Sequence, residues 1–195
     1  MQTVTRPRGT ATYQDIIDAP ENLTAEVIYG TLRTHRTPPP RYALARTILS
    51  ARLVTGFDSG IGERGGWTLR SRIEVKFGDD FLVPTFSGWK GDVLKNPPDT
   101  NWVELVPDWV CEIHTAETRK FNMIDKTEIY AAAGVRHLWF LDTEDRTLIC
   151  HENRDGLWTV IATLKDDDLV CVAPFDAVTL SLGELWPETV SAPAE

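Results

Sequence analysis

The hydrophobic pattern is most informative between residues 106 and 142, where it predicts a strand, a helix and a second strand. In WVCEIH, residues 109–114, spacing by two sends the odd-numbered side chains to one face and Glu112 and His114 to the other. Glu112 is therefore predicted to be a carboxylate within an apolar strand.

The helix of this unit is predicted over residues 116–133, ending at Gly134. One side of it carries an apolar stripe that Lys126 interrupts, formed by Met123, Lys126, Tyr130 and Ala133. The second strand, HLWFLD, is almost entirely apolar, as in a strand covered on both faces. A crossover of this length makes the two strands parallel, so we expect Glu112 and Lys126 to converge at one end of the sheet.

The flanking patterns predict short elements on both sides of this unit. Upstream, we expect a strand in AEVIYGTLRTH, a helix over residues 41–57, and a β-hairpin of WTLRSRIEVKF and FLVPTFS, with Thr85 on the second strand. Downstream of Asp142, short strands separated by turns predict an antiparallel meander. The chain reads as one mixed α/β domain over residues 12–186, with tails at 1–11 and 187–195.

Composition limits the functions that this domain can have. The 195 residues are 42% hydrophobic and 25% charged, as in an ordinary soluble domain, but the net charge is −9. Tight generic binding to nucleic acid is not supported by such a charge. Three scattered cysteines without metal-ligand spacing indicate a reducing compartment, and no stretch approaches the length of a membrane span, so we expect a cytoplasmic protein.

An ordered series of motifs resembles the Uma-type putative restriction endonucleases, within the PD-(D/E)XK nuclease superfamily. The series comprises AEVIYGTL, PPPRYALA, VPTFSGWKGD, PDWVCE and AGVRHLWFLD, and it extends over most of the chain. The resemblance implies a restriction endonuclease-like fold, a mixed β-sheet flanked by helices, and a Mg²⁺- or Mn²⁺-dependent hydrolase that cuts DNA. It also implies a homodimer, since related nucleases often cut both strands as dimers.

Three positions depart from the family pattern. Thr85 stands where the family has an aspartate that helps to hold the metal, and Tyr42 stands where a histidine is usual. The turn after Glu112 is altered to Ile113-His114-Thr115. Because a threonine hydroxyl is neutral and replaces a carboxylate poorly, we expect weak metal binding.

The candidate site residues are Glu112 as metal ligand, Lys126 as the residue that orients water or neutralises charge, and Glu74 as a supporting carboxylate beside Thr85. Each has a structural alternative. Lys126 could snorkel from the helix face or simply pair with Glu112 or Glu128. Glu74 could be a solvent-facing charge, and His114 a strand-end histidine satisfied by backbone groups.

For two further features, a structural role is the favoured interpretation. Glu26 reads as an edge-strand charge, although the resemblance places it near the active cleft. The basic cluster Arg33, His35, Arg36 and Arg41 reads as a solvated loop. Two hypotheses follow: a metal-dependent DNA endonuclease with a degenerate site, or a catalytically inactive nuclease fold that binds nucleic acid or a protein partner.

Overall fold

The computed structural model describes residues 8–36, 38–58, 65–94, 96, 98–177 and 179–186. Its helices are α1 (Tyr13–Ile17), α2 (Pro40–Phe57), α3 (Arg119–Phe121) and α4 (Thr127–Ala133), with a π-helical segment (Asn122–Lys126) between α3 and α4 and a 3-10 helix (Leu182–Leu185). Its strands are β1 (Leu23–Ile28), β2 (Thr31–Arg36), β3 (Trp67–Ser71), β4 (Glu74–Phe77), β5 (Asp80–Leu82), β6 (Phe86–Lys90), β7 (Trp102–Val103), β8 (Trp109–His114), β9 (His137–Asp142), β10 (Thr147–Arg154), β11 (Leu157–Lys165), β12 (Leu169–Val170) and β13 (Leu180–Ser181).

Within the described residues, most strands belong to two sheets. One has the order β11-β10-β9-β8-β6-β3 and the other the order β2-β1-β5-β4-β7. β8 and β9 run parallel, with Glu112 opposite Phe140, and the chain between them passes through α3, the π-helical segment and α4. The predicted strand–helix–strand unit and its parallel pairing are therefore confirmed, and this unit lies at the centre of the six-stranded sheet.

Each face of the six-stranded sheet has its own hydrophobic core. α2 packs on one face, and its buried side chains recur every three or four residues, at Tyr42, Ala45, Leu49, Leu53 and Phe57. The core on the other face joins Val110 and Leu138 of this sheet to Val75 and Leu82 of the five-stranded sheet and to Tyr130 of α4. The alternation in WVCEIH thus sends its odd-numbered residues towards α2 and its even-numbered residues towards the second sheet and α4.

The hairpin predicted from residues 67–77 and 81–87 is divided between the two sheets. β3 pairs with β6 in the six-stranded sheet, whereas β4 pairs with β5 in the five-stranded sheet. The first strand breaks at Arg72, whose φ is 53°, and the second lacks ladder pairing at Val83 and Pro84. Because proline has no backbone N–H to donate to a ladder, the second strand is interrupted there. The expectation of one continuous hairpin is therefore wrong. Thr85 consequently lies where the chain passes from one sheet to the other.

The ends of the domain are tied to its body. β10 and β11 continue antiparallel from β9, which confirms the meander, and β12 pairs with β13 in a small separate sheet. The backbone N–H groups of Gly9 and Ala11 donate to the carbonyls of Tyr29 and Gly30. The rest of the two predicted tails, residues 1–7 and 187–195, lies outside the described residues. Among the described helices, none has both the length and the apolar character needed to cross a bilayer.

Candidate active site

A cleft of about 180 Å³ opens where the two sheets meet. Its walls come from β2, β8, the start of α2, the two strand breaks and the π-helical segment. The lining residues that carry polar chemistry include His35, Tyr42, Arg72, Thr85, Glu112 and Lys126. The structure therefore brings three of the four predicted site residues, Thr85, Glu112 and Lys126, to one cleft.

Lys126 lies between two carboxylates in this site. Its Nζ is 2.7 Å from Glu26 Oε1 and 3.1 Å from Glu112 Oε1, and its side chain is only 2% exposed. Burial alone would lower the pKa of this ammonium group, but attraction to Glu112 and Glu26 outweighs burial and raises the pKa above its usual value. Lys126 is therefore a fixed positive charge that does not snorkel to the surface, and its predicted pairing with Glu112 is present.

Glu26 joins the site from the other sheet. β1 is paired on both sides, with β2 and with β5, and Glu26 has no exposed surface. Its Oε1 also accepts a hydrogen bond of 2.6 Å from the backbone N–H of Val83. The interpretation of Glu26 as an edge-strand charge is thus wrong, because the edge of this sheet is β2. Lys126 connects a carboxylate of one sheet to a carboxylate of the other.

The two oxygens of Glu112 have different surroundings. Oε1 accepts a hydrogen bond of 2.6 Å from the hydroxyl of Tyr130 as well as the contact from Lys126. Among the described residues, Oε2 has two long contacts, both of 3.4 Å, from the backbone N–H and the hydroxyl of Thr85. Burial and the charge of Glu112 raise the pKa of Tyr130 well above its usual value, so its phenol remains protonated. Glu112 is held firmly through Oε1, and Oε2 keeps acceptor capacity.

The hydroxyl of Thr85 fills the position where a second carboxylate was expected. It lies 2.9 Å from the hydroxyl of Tyr42 and accepts a bond of 3.2 Å from the backbone N–H of Ile113. Since a hydroxyl carries one proton, donation from Tyr42 to Thr85 allows donation from Thr85 to Glu112. Burial raises the pKa of Tyr42, so this chain of hydroxyls is neutral.

The π-helical segment changes the predicted side of the helix. Met123, placed in the buried stripe from its spacing to Lys126, is 43% exposed, whereas Asn122 is 4% exposed. A π-turn inserts one residue into the helical repeat, so the residues before Lys126 rotate relative to the α-helical expectation. Tyr130, four residues after Lys126, keeps the expected spacing and contacts the same carboxylate.

Two histidines stand beside the cluster, and both are neutral near pH 7. His35 lines the cleft with Nδ1 at 3.9 Å from Glu26 Oε2, and His114 stacks on Phe140 and contacts the amide of Asn122. Burial lowers the pKa of each to about 4. His114 is thus held mainly by side chains, rather than by backbone groups.

Glu74 is not brought to Glu112. It lines an adjacent hollow, and its Oε2 accepts a hydrogen bond of 2.6 Å from the hydroxyl of Tyr13. Burial and this carboxylate raise the pKa of Tyr13 to about 12. Glu74 begins β4, which pairs with β5 and β7 in the five-stranded sheet, whereas Glu112 lies on β8 in the six-stranded sheet.

The residues that sequence reasoning missed differ in the signal they offered. Tyr130 lay on the Lys126 stripe, and Tyr42 was noted where the family has a histidine, but neither signal gave the hydroxyl contacts. His35 and Arg36 were assigned to a solvated loop, but they belong to β2 and line the cleft. Only the pairing of β2 with β1 places His35 near Glu26.

Comparison with known proteins gives a family and a similar fold. The model of the Uma2 family, described as "Putative restriction endonuclease", matches residues 10–183. The chain belongs to the Uma2 family. The fold of this Uma2 chain is also similar to the crystal structure of a putative nuclease from Anabaena variabilis, with a TM-score of 0.71 and 18% identity over 90% of this chain and 97% of that one. No match was found among curated proteins.

Proposed function

We propose that the cleft hydrolyses phosphodiester bonds of DNA with the help of a weakly held divalent cation. The observation that carries this proposal is the buried group of Lys126, Glu26 and Glu112, of which Lys126 and Glu112 line the cleft. Removing three charged side chains from water is costly, and packed apolar residues often serve stability as well or better. Charged groups arranged in this way in a cleft are typical of functional sites.

The donors present fit a divalent cation only in part. Glu112 Oε2 has two long contacts, and Glu26 Oε2 makes no hydrogen bond among the described residues. Those two oxygens would be the protein ligands, with waters and the substrate phosphate as the others. However, the described residues contain no group of three His, Cys, Asp or Glu side chains arranged to hold a metal ion. Two carboxylate oxygens of this kind would bind a divalent cation weakly.

The protein's own groups define the rest of the proposed chemistry. A bound cation would stabilise negative charge on the phosphate and lower the pKa of an attacking water. Lys126 supplies a fixed positive charge next to Glu112, and Tyr130 holds Glu112 through Oε1. A preorganised charge of this kind costs no reorganisation as the transition state forms.

A second function, binding without catalysis, is favoured by one observation. The hydroxyls of Tyr42 and Thr85 lead by hydrogen bonds to Oε2 of Glu112, so that oxygen already has a protein donor. In this chain of hydrogen bonds, the hydroxyl of Thr85 occupies the place of the aspartate that the family uses. A protein with this site would keep the scaffold for binding nucleic acid or a protein partner.

Nicking of supercoiled plasmid in Mg²⁺ and in Mn²⁺ tests the two functions. We expect wild-type protein to nick more strongly at high metal concentration, and Glu112→Gln and Lys126→Ala to lose nicking. Circular dichroism checks that both variants are folded, and Lys120→Ala is the control because Lys120 is an exposed lysine on the same helical stretch.

Substitution of Thr85 separates the two functions further. If the wild type cleaves, Thr85→Asp should lower the metal concentration needed for half-maximal nicking, since it adds an anionic oxygen ligand beside Glu112. If the wild type does not cleave at any metal concentration and Thr85→Asp does, catalysis is not the function and the binding proposal replaces it.

We also propose that the protein acts as a homodimer, as the family resemblance implies. Two copies of one site are the simplest way to cut both strands of a duplex. Sedimentation of the wild type with and without DNA tests this, and linear plasmid formed without a preceding nicked stage would accompany a dimer. A monomer that produces only nicked circles would contradict it.

A further inference from the structure

Arg72 occupies a strained backbone position at the wall of the cleft. Its φ of 53° lies in the left-handed region, where a side chain with a Cβ is disfavoured. Its backbone N–H donates to the carbonyl of Thr85 at 3.2 Å, so the break between β3 and β4 is fixed to the position next to Glu112. Strain of this kind persists only where the surrounding structure determines it, and it concentrates at binding and catalytic sites.

The guanidinium of Arg72 is held by a neutral partner. Nη2 donates to the hydroxyl of Thr24 at 2.6 Å, and the side chain lines both the cleft and the adjacent hollow. Its positive charge acts on His35 and Tyr42, both of which line the cleft. Arg72 is therefore positioned at the cleft by the hydroxyl of Thr24 and by its own backbone.

Several arginines of the molecule pair with carboxylates, whereas Arg72 does not. Arg8 pairs with Asp80, Arg52 with Glu184 and Arg119 with Asp142. In the part of the chain that the structure describes, Arg72 has no carboxylate within ion-pair distance. Glu112, the buried carboxylate of the cleft, is already paired with Lys126. A half-buried cation without an anionic partner leaves room for an anion from outside.

We propose that Arg72 is the phosphate-binding residue of the cleft and binds the DNA backbone beside the scissile bond. A guanidinium has five N–H donors in a planar fork that matches two phosphate oxygens. Thr24 takes one of these donors, and Tyr42 is a further hydrogen-bond partner. This inference rests on the proposed nuclease function, and it adds a substrate-binding residue to the groups around Glu112. The contact is to phosphate, so it positions the duplex without reading its sequence.

The test measures binding separately from cleavage. Fluorescence anisotropy of a short labelled duplex, in EDTA and in Ca²⁺, gives the dissociation constant at several salt concentrations. We expect Arg72→Met to bind at least about tenfold more weakly and to reduce the slope of log K against log salt by about 0.9, the value for one lost phosphate contact. Arg72→Lys keeps the charge but not the fork, so it should keep the slope and lose part of the affinity.

Two further variants make the result specific. Arg154→Met is the matched control, since Arg154 pairs with Glu152 and does not line the cleft. Arg72→Asn removes the guanidinium but tolerates a positive φ, so it separates loss of the contact from loss of folding. Both Arg72→Met and Arg72→Asn should show the reduced slope, and Arg154→Met should match the wild type.

The outcomes separate this inference from the proposed function. If the wild type nicks plasmid while Arg72→Met binds with the wild-type slope, the phosphate contact is wrong and the nuclease function stands. If binding depends on Arg72 but no cleavage is found, the contact stands and the nuclease function fails. A wild type that binds no duplex in either EDTA or Ca²⁺ overturns the proposed contact.

Discussion

At the scale of single residues, the feature that dominates this molecule is a lysine enclosed by two glutamates. Lys126 is 2% exposed and within 3.1 Å of both carboxylates, and Phe121 lies 5.4 Å from its ammonium group. Such a cation is held by attraction from several sides, including the face of an aromatic ring. Its removal therefore affects groups on three different elements.

We expect Lys126→Met to destabilise the fold by about 3–5 kcal/mol, because it leaves Glu26 and Glu112 buried without their cation. Urea unfolding followed by circular dichroism measures this. Lys120→Met is the control, and as an exposed substitution it should change stability by less than about 0.5 kcal/mol. Equal effects of the two variants would show that the buried pairing contributes nothing.

A second residue-scale prediction concerns pH. Burial lowers the pKa of His114 from its ordinary value of 6.5 to about 4, so the unfolded chain takes up this proton first as the pH falls. The stability from keeping His114 neutral is complete above pH 6.5 and is lost between pH 6.5 and 4. Burial of His35 acts in the same direction.

The substitution His114→Phe isolates this contribution, since Phe keeps the stacking on Phe140 and cannot titrate. We expect the loss of stability between pH 7 and pH 5 to be smaller in His114→Phe than in the wild type by about 2 kcal/mol. Urea midpoints at the two pH values give the comparison, in which titration of the carboxylates cancels. An unchanged difference would mean that His114 does not titrate abnormally.

At the scale of elements, the helix between β8 and β9 shows what a sequence pattern determines. The alternation of β8, the stripe with Lys126 and Tyr130, and the end at Gly134 were all readable, because each depends on local spacing and conformation. The π-turn was not, since no short-range rule marks where a helix gains one residue. The exposed Met123 and the buried Asn122 follow from that single insertion.

The break in the hairpin was not predicted, for a related reason. Alternation in WTLRSRIEVKF continues through Arg72 without interruption, but the chain changes sheets there. Which sheet a strand joins depends on partners distant in sequence, such as β1 and β8, and these are not part of the local pattern. Glu26 was misjudged in the same way, since its burial arises from pairing of β1 on both sides.

The end of α4 gives an element-scale prediction. Gly134 has a φ of 87°, and no atom lies within 4 Å of a Cβ added there, so the cost of a side chain is conformational only. We expect Gly134→Ala to cost about 1 kcal/mol and Gly134→Asn less, since Asn adopts this conformation more readily. Thermal unfolding of the two variants measures the order. Equal stability of Ala and Gly at this position would contradict the left-handed helix end.

At the scale of the whole molecule, the two sheets share a core and an ion cluster. The core joins Val110 of one sheet to Val75 of the other, and Lys126 links Glu112 to Glu26. Neither sheet therefore buries its inner face without the other. The family match covers residues 10–183, which include every described strand of both sheets.

We expect the slowest-exchanging amides of β1 and β8 to have the same free energy of opening, because separating the sheets exposes the shared core and unpairs Lys126. Hydrogen–deuterium exchange of peptides from the two strands measures this. Faster exchange throughout β1, with β8 still protected, would show that the five-stranded sheet opens by itself.

The bridge made by Lys126 determines when the ion cluster and the cleft can form during synthesis of the chain. Glu26, Glu112 and Lys126 are separated by up to 100 positions in the chain, and the lysine is synthesised last of the three. A nascent or half-assembled chain has neither its balanced charge nor its cleft. The cleft and its ion cluster therefore form together, late in synthesis, when the chain completes its tertiary structure.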